Sequence, residues 1–166
     1  MHLTFKPITK EDQKEVIHMF QAAADKISRM QIDHWQYWKN PPSEKIEWVK
    51  EGLANGEYFF VQNADQEIIG MLRILDEDLM YWGEQEEKAK YIHSLVVKEK
   101  FNGKGIGAQI IEKVATEAKE NHCKYLRLDA DAKNPKLCSY YEKQGFKQVG
   151  ATKLTISTYN LYQKEL

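Results

Sequence analysis

The segment Tyr91–Val114, YIHSLVVKEKFNGKGIGAQIIEKV, constrains this chain more than any other. A short apolar run passes into a basic turn with glycines at 103, 105 and 107, and then into a helical pattern. Ile106, Ile110, Val114 and Ala118 recur at four-residue spacing, with Ile111 and Ala115 widening the stripe. That is the signature of a helix with one buried face. The start of a helix carries unpaired N–H groups and partial positive charge, so it can hold a phosphate. Glycine there admits left-handed backbone and close approach of a ligand. Lys100 and Lys104 add charge at the same place. The segment therefore points to a phosphate-bearing ligand, with a closely packed but ligand-free turn as the alternative.

Two common phosphate motifs are excluded. No Gly-Lys-Ser/Thr follows a glycine to make a P-loop, and the spacing Gly103-x-Gly105-x-Gly107 past mid-chain does not match an early dinucleotide fingerprint. At 166 residues the chain suits one domain, residues 1–166, with a substantial core. A net charge of −1 gives no global field for nucleic acid or a membrane surface. Cys123 and Cys138 lack a metal-ligand spacing and are too few for a disulfide framework, which suits buried thiols in a reducing cytoplasm. The first residues do not read as a secretory signal, and no apolar run nears the ~18 residues of a membrane span.

The rest of the chain reads as a strand at Leu3–Pro7, then a helix to about Ile27 with Thr9 and Asp12 as its capping box. An aromatic, irregular stretch follows at 30–40. A second helix is capped by Ser43 and stopped near Gly56. Glu57–Gln62 and Glu67–Leu75 form a hairpin around Asn63–Gln66. Asp76–Lys90 is a long acidic and aromatic loop, of the kind that often carries function. The strand Tyr91–Val97, the helix from Gly105 to His122 and the strand Tyr125–Ala130 come next. Asn134-Pro135 opens a helix closed by Gly145, and Phe146–Gly150 and Thr152–Tyr159 are the last strands.

The glycine turn and the later segment Asn134–Phe146, NPKLCSYYEKQGF, together resemble the GCN5-related N-acetyltransferase (GNAT) family. That family's turn is similar to Arg/Gln-x-x-Gly-x-Gly/Ala, matched by Asn102–Gly107 with asparagine at the first position. Its later helix is similar to Asn-x-x-x-x-x-(aromatic)-Tyr-Glu-x-x-Gly-Phe, which Asn134–Phe146 fits. The element order agrees over essentially the whole chain. The resemblance implies an α/β acyl-CoA N-acyltransferase fold: a mixed sheet of six to seven strands, splayed between strands 4 and 5 and flanked by helices. It implies acetyl-CoA as cosubstrate and no metal. The pantetheine arm would lie along Leu95, Val96 and Val97. The amides of Asn102, Gly103, Lys104, Gly105, Ile106 and Gly107 would hold the pyrophosphate, and Asn134 would donate to the arm or to a water. Tyr141 would lie at the thioester sulfur as well, and a homodimer is common among such proteins.

Chemistry then suggests roles. A thioester expels a thiolate, and a tyrosine of pKa ~10 can protonate it, which makes Tyr141 the candidate acid. Tyr140 points about 100° away around the helix. His93, two positions before Leu95, is the candidate base for a protonated amine, with a structural histidine as the alternative. Asp129 and Asp131 either orient a base or bind an amine, or else serve as turn and cap residues. The acidic loop either steers a cationic acceptor or is simply solvated. Trp35, Trp38 and Trp82 line the acceptor site or fill the core. The reading is an N-acetyltransferase for a small cationic amine by direct transfer. A non-catalytic acyl-CoA sensor and a different nucleotide module are the rivals.

Overall fold

The computed structural model describes residues 1–166. Its strands are β1 (Thr4–Pro7), β2 (Tyr58–Gln62), β3 (Ile68–Leu75), β4 (Ala89–Val97), β5 (Tyr125–Asp131), β6 (Lys147–Lys153) and β7 (Thr158–Glu165). Its helices are α1 (Gln13–Arg29), α2 (Ser43–Ala54), α3 (Leu79–Trp82), α4 (Ile106–Glu120) and α5 (Pro135–Lys143), with short 3₁₀ turns at Lys10–Asp12, Gln36–Lys39 and Glu99–Phe101. The strands form one seven-stranded sheet in the order β1-β2-β3-β4-β5-β7-β6. β4 and β5 are parallel, while β1–β2, β2–β3, β5–β7 and β6–β7 are antiparallel, so the sheet is mixed. The β4–β5 register is Ala89↔Tyr125, Lys90↔Leu126 and Tyr91↔Arg127, which covers only the start of β4, as expected of strands that diverge. No helix is long and apolar enough to cross a membrane.

The chain divides into two compact units, Met1–Arg73 with Ser94–Ile110, and Ile74–His93 with Ile111–Leu166. In the first, Val16, Met19, Phe20 and Ala24 of α1 and Val49 and Leu53 of α2 cover Tyr58, Phe60, Met71 and Val96 of the strands. Trp38 is buried and stacks on Phe20 with centroids 3.8 Å apart, which makes it a core residue. Gly70 lets β3 and β4 approach, because a Cβ there would lie 2.4 Å from the carbonyl oxygen of Val96. The Lys98 amide donates to the Ile69 carbonyl at 2.8 Å and extends that pairing. Arg73 is buried against Glu57 and lies 4.2 Å over the Trp48 ring.

In the second unit Trp82, Ala89 and Tyr91 pack with Leu75, Tyr81, Tyr125 and Leu161. The Arg127 guanidinium lies 4.9 Å from the Trp82 ring and donates to the Tyr91 hydroxyl at 2.8 Å, which makes Trp82 a packing residue too. β7 sits between β5 and β6 through the registers Tyr125↔Glu165 and Lys147↔Gln163.

Three local expectations are corrected. The cap position of α2 is Pro42 and Ser43 is the first helical residue, because the fixed φ of proline already presets the entry. Asp76–Lys90 is not wholly a loop: it contains α3, and β4 begins at Ala89. The final hairpin turns later than its residues suggest. β6 runs through Gly150 and Ala151, and the turn is closed by the Leu154 amide on the Ser157 carbonyl at 2.9 Å. Thr152–Tyr159 is rich in strand-favouring Thr, Ile and Tyr, but Ser157 is drawn onto Asp131 Oδ1 at 2.7 Å, and that anchor fixes the turn.

Candidate active site

The candidate residues fall into two groups, one in each unit. In the first, Leu95, Val96 and Val97 end β4, with Val96 buried in the core and its neighbours half-buried. The Glu99–Phe101 turn then delivers Asn102–Gly107 to the start of α4. Gly103 and Gly105 have φ of +74° and +69°, and a Cβ at either would meet nothing within 4 Å. The strain is therefore conformational and the space before the turn is open. The first amide to bond back into the helix is Gln109, to the Gly105 carbonyl at 3.2 Å. The amides of Ile106, Gly107 and Ala108 in the first turn thus have no intrahelical partner. Left-handed glycines, open space and first-turn amides without intrahelical partners fit a pyrophosphate.

The second group surrounds His93. Asp78 lies in the acidic loop but is only 5% exposed, unlike Glu77, Glu84, Glu86 and Glu87, which face solvent. Its Oδ1 accepts the Tyr81 amide at 3.3 Å as the cap of α3, and its Oδ2 lies 2.6 Å from His93 Nε2. On the other side of the ring, His93 Nδ1 is 3.5 Å from Asp129 Oδ1. The Tyr81 ring packs on the imidazole at 5.0 Å and against Tyr159 at 5.2 Å. Asp129 Oδ1 is buried and receives no hydrogen bond. Burial pushes the Asp129 carboxyl up to about 6; the charge of His93 opposes that rise and the charge of Asp78 adds to it. The residue after His93, Ser94, is left-handed at φ 55° within the strand, yet burial still alternates from Ile92 to Val97, so His93, Leu95 and Val97 remain the half-buried positions.

Asp78, His93 and Asp129 bring their ligand atoms within 4.8 Å of one another. Two ligands of one divalent ion at ~2.1 Å stand roughly 3.0–3.4 Å apart. The 2.6 Å contact between Asp78 and His93 is a hydrogen bond instead.

α5 contributes the remaining candidates. Asn134 Oδ1 caps the helix by accepting the Leu137 amide at 3.1 Å, so its side-chain nitrogen is not used by the cap. Tyr141 is buried, whereas Tyr140 is 38% exposed, so the two tyrosines face different surroundings as their spacing predicts. Burial first, and the Asp129 charge second, hold the Tyr141 phenol well above its usual range, so it stays protonated. Asp131 takes the structural role: its Oδ1 accepts the Lys133 amide at 2.9 Å and the Ser157 hydroxyl. Sequence reasoning thus left Asp129 between two roles and missed the pairing of Asp78 with His93. The one sequence signal for that pairing was an aspartate opening Asp78-Leu79-Met80-Tyr81 as a helix cap.

Residues 25–146 match the family model described as Acetyltransferase (GNAT) family. An uncharacterized N-acetyltransferase of Bacillus subtilis (strain 168), YesJ, is 30% identical over 165 residues, covering 96% of this chain and 88% of that protein. A GNAT-family acetyltransferase from Listeria monocytogenes 4b F2365 superposes with a TM-score of 0.79 at 21% identity, covering 99% and 95% of the two chains. A spermidine N-acetyltransferase SpeG chimera from Vibrio cholerae and hSSAT superposes with a TM-score of 0.70 at 14% identity, covering 99% and 96%.

Proposed function

Since the chain belongs to the GNAT acetyltransferase family, we propose that it moves the acetyl group of acetyl-CoA onto a small cationic primary amine by direct transfer in a ternary complex. The observation that carries the acceptor class is the pair of carboxylates, Asp78 and Asp129, on either side of His93. Such a cluster favours an ammonium group and is positioned to take a proton from it. The spermidine enzyme among the structural neighbours is consistent with this reading, but at 14% identity the likeness carries the fold and not the acceptor.

Acetyl-CoA supplies an activated thioester. The residues that would hold it are Asn102–Gly107 at the pyrophosphate, Leu95–Val97 along the pantetheine arm, and Asn134 through its side-chain amide. His93 serves as base and relieves the ammonium of a proton, so the lone pair can form the N–C bond. As the N–C bond forms, the nitrogen becomes cationic again and sheds its second proton. As the C–S bond breaks, the electron pair goes to sulfur, which takes a proton through the Tyr141 hydroxyl, and the proton leaving the nitrogen restores that phenol. Burial keeps that phenol protonated, so its hydroxyl is available to hydrogen-bond the departing sulfur, and the proton moves fully only as negative charge builds there. Nothing in this scheme needs an acyl-enzyme. Cys138, the thiol on α5, lies 3.6 Å from the Asn160 amide nitrogen and is buried, which does not activate a nucleophile.

A thiol-release screen with acetyl-CoA over polyamines, amino acids, aminoglycosides and peptide amines tests the reading. Release is expected with a compact di- or polycationic amine. CoA binding without release from any acceptor would support the sensor alternative instead.

A further inference from the structure

We infer that Asp78 is the positioning residue of the acceptor half of the site: it fixes His93 in the tautomer that turns Nδ1 toward Asp129, so the acceptor's proton passes to the His93–Asp129 pair. This rests on the amine-acetylating reading above and extends it to a residue outside both sequence motifs.

The geometry of Asp78 leaves it little freedom. Its side chain is 4% exposed, and its two oxygens have separate fixed partners: the Tyr81 amide and His93 Nε2. An ionised carboxylate only accepts, so the nitrogen 2.6 Å from it carries the proton. Nδ1 then presents its lone pair on the opposite side of the ring, where Asp129 Oδ1 lies at 3.5 Å. That distance is longer than an ordinary hydrogen bond, and Asp129 Oδ1 has no donor. A buried carboxylate oxygen without a donor is costly, and an ammonium N–H is the group that would relieve it.

The ring is also held from its face, by Tyr81, which is itself seated against Tyr159. The left-handed Ser94 follows His93, a strained backbone position of the kind found where a side chain must be aimed. The titratable groups around the imidazole are Asp78 and Tyr81 from the β3–β4 connection, Asp129 from β5 and Tyr159 from β7. Tyr141 on α5 senses the charge of Asp129. With Asp78 and Asp129 ionised and His93 neutral, the cluster carries two negative charges. Uptake of one proton from the ammonium leaves an imidazolium between two carboxylates and a neutral amine ready to attack.

Asp78→Asn tests this directly, because asparagine caps a helix as well as aspartate does, so α3 is retained while the charge is lost. In the parent, long-range ¹H–¹⁵N spectra above the titration of His93 are expected to show one tautomer, protonated at Nε2. In Asp78→Asn the two tautomers should mix. kcat should fall roughly 100-fold while KM for acetyl-CoA stays within twofold. His93→Gln should lose a similar amount, and the double variant no more than His93→Gln alone, since residues acting as one unit are not additive. The acid limb of kcat/KM should also move to lower pH in Asp78→Asn, because Asp129 loses a neighbour that raises its pKa. A parent ring protonated at Nδ1, an Asp78→Asn ring with unchanged tautomer, or losses that multiply in the double variant would overturn the assignment. If the chain acetylates no amine, the activity assigned above fails, and the ring spectra still decide whether Asp78 positions His93.

Discussion

Asp129 is expensive to keep at this position. In the unfolded chain it ionises near its ordinary value of 3.8, but burial holds the proton in the fold up to about 6. Between those values the folded state binds more protons than the unfolded one. The favourable contribution is therefore complete below about pH 4 and is lost as pH rises through 6. At pH 7.5 the fold carries a buried charge whose cost, set by the rise from 3.8 to about 6, is of order 1–3 kcal/mol. Asp129→Asn should accordingly raise the melting temperature at pH 7.5 by several degrees, with little gain at pH 4, while turnover falls. A calorimetric pH series decides it, and a lower melting temperature at pH 7.5 would contradict the argument. Tyr141→Phe makes the opposite trade. Phenylalanine keeps the ring contacts with Phe146 at 6.0 Å and Tyr162 at 6.3 Å, so the fold should persist. Loss of the hydroxyl should slow turnover about 100-fold with KM for acetyl-CoA nearly unchanged. Unchanged turnover would take the acid role from Tyr141.

At the scale of elements, close approach of strands is set by what is missing from them. Gly70→Ala would place a Cβ 2.4 Å from the Val96 carbonyl oxygen, backbone that cannot swing aside. β3 and β4 would have to separate near Leu95–Val97. The expected cost is about 1–3 kcal/mol in urea unfolding, with a weaker affinity for acetyl-CoA. A change below 0.5 kcal/mol would mean the strands give way freely. Elements with strong local signals were legible in the sequence: α1 and α4 carry apolar stripes, and Asn134-Pro135 and Gly145 mark the ends of α5. The last hairpin was not legible, because Thr, Ile and Tyr give Thr152–Tyr159 a strand-like composition and its turn is decided by Ser157 bonding to a residue 26 positions earlier. α3 was not legible either. A helix of four residues has no period to detect, and it persists because Asp78 caps it and Trp82 is buried.

Over the whole molecule, the glycine turn proposed for the donor was readable as local structure because it depends on backbone: glycines in a fixed pattern announce left-handed turns ahead of a helix start. The cluster proposed for the acceptor was not, because Asp78, His93 and Asp129 are brought together from separate elements, and no spacing encodes that. The same contrast gives a test of the whole chain. A ligand that binds only the folded state stabilises it by RT ln(1 + [L]/Kd), ~2.7 kcal/mol at one hundred times Kd. For a chain of 166 residues that corresponds to a rise in melting temperature of roughly 5–10 °C. Acetyl-CoA and CoA should both give it, since both offer the pyrophosphate to Asn102–Gly107, whereas ATP should give little at equal concentration. Gly105→Ala should reduce the shift with acetyl-CoA, because alanine resists the φ of +69° by ~1–2 kcal/mol and distorts the amides that face the phosphate. The acceptor-side variants Asp78→Asn and His93→Gln should leave the shift intact. Equal protection by ATP would return the glycine turn to a general nucleotide site, and loss of the shift in the acceptor-side variants would mean that His93 and Asp78 help to hold the donor.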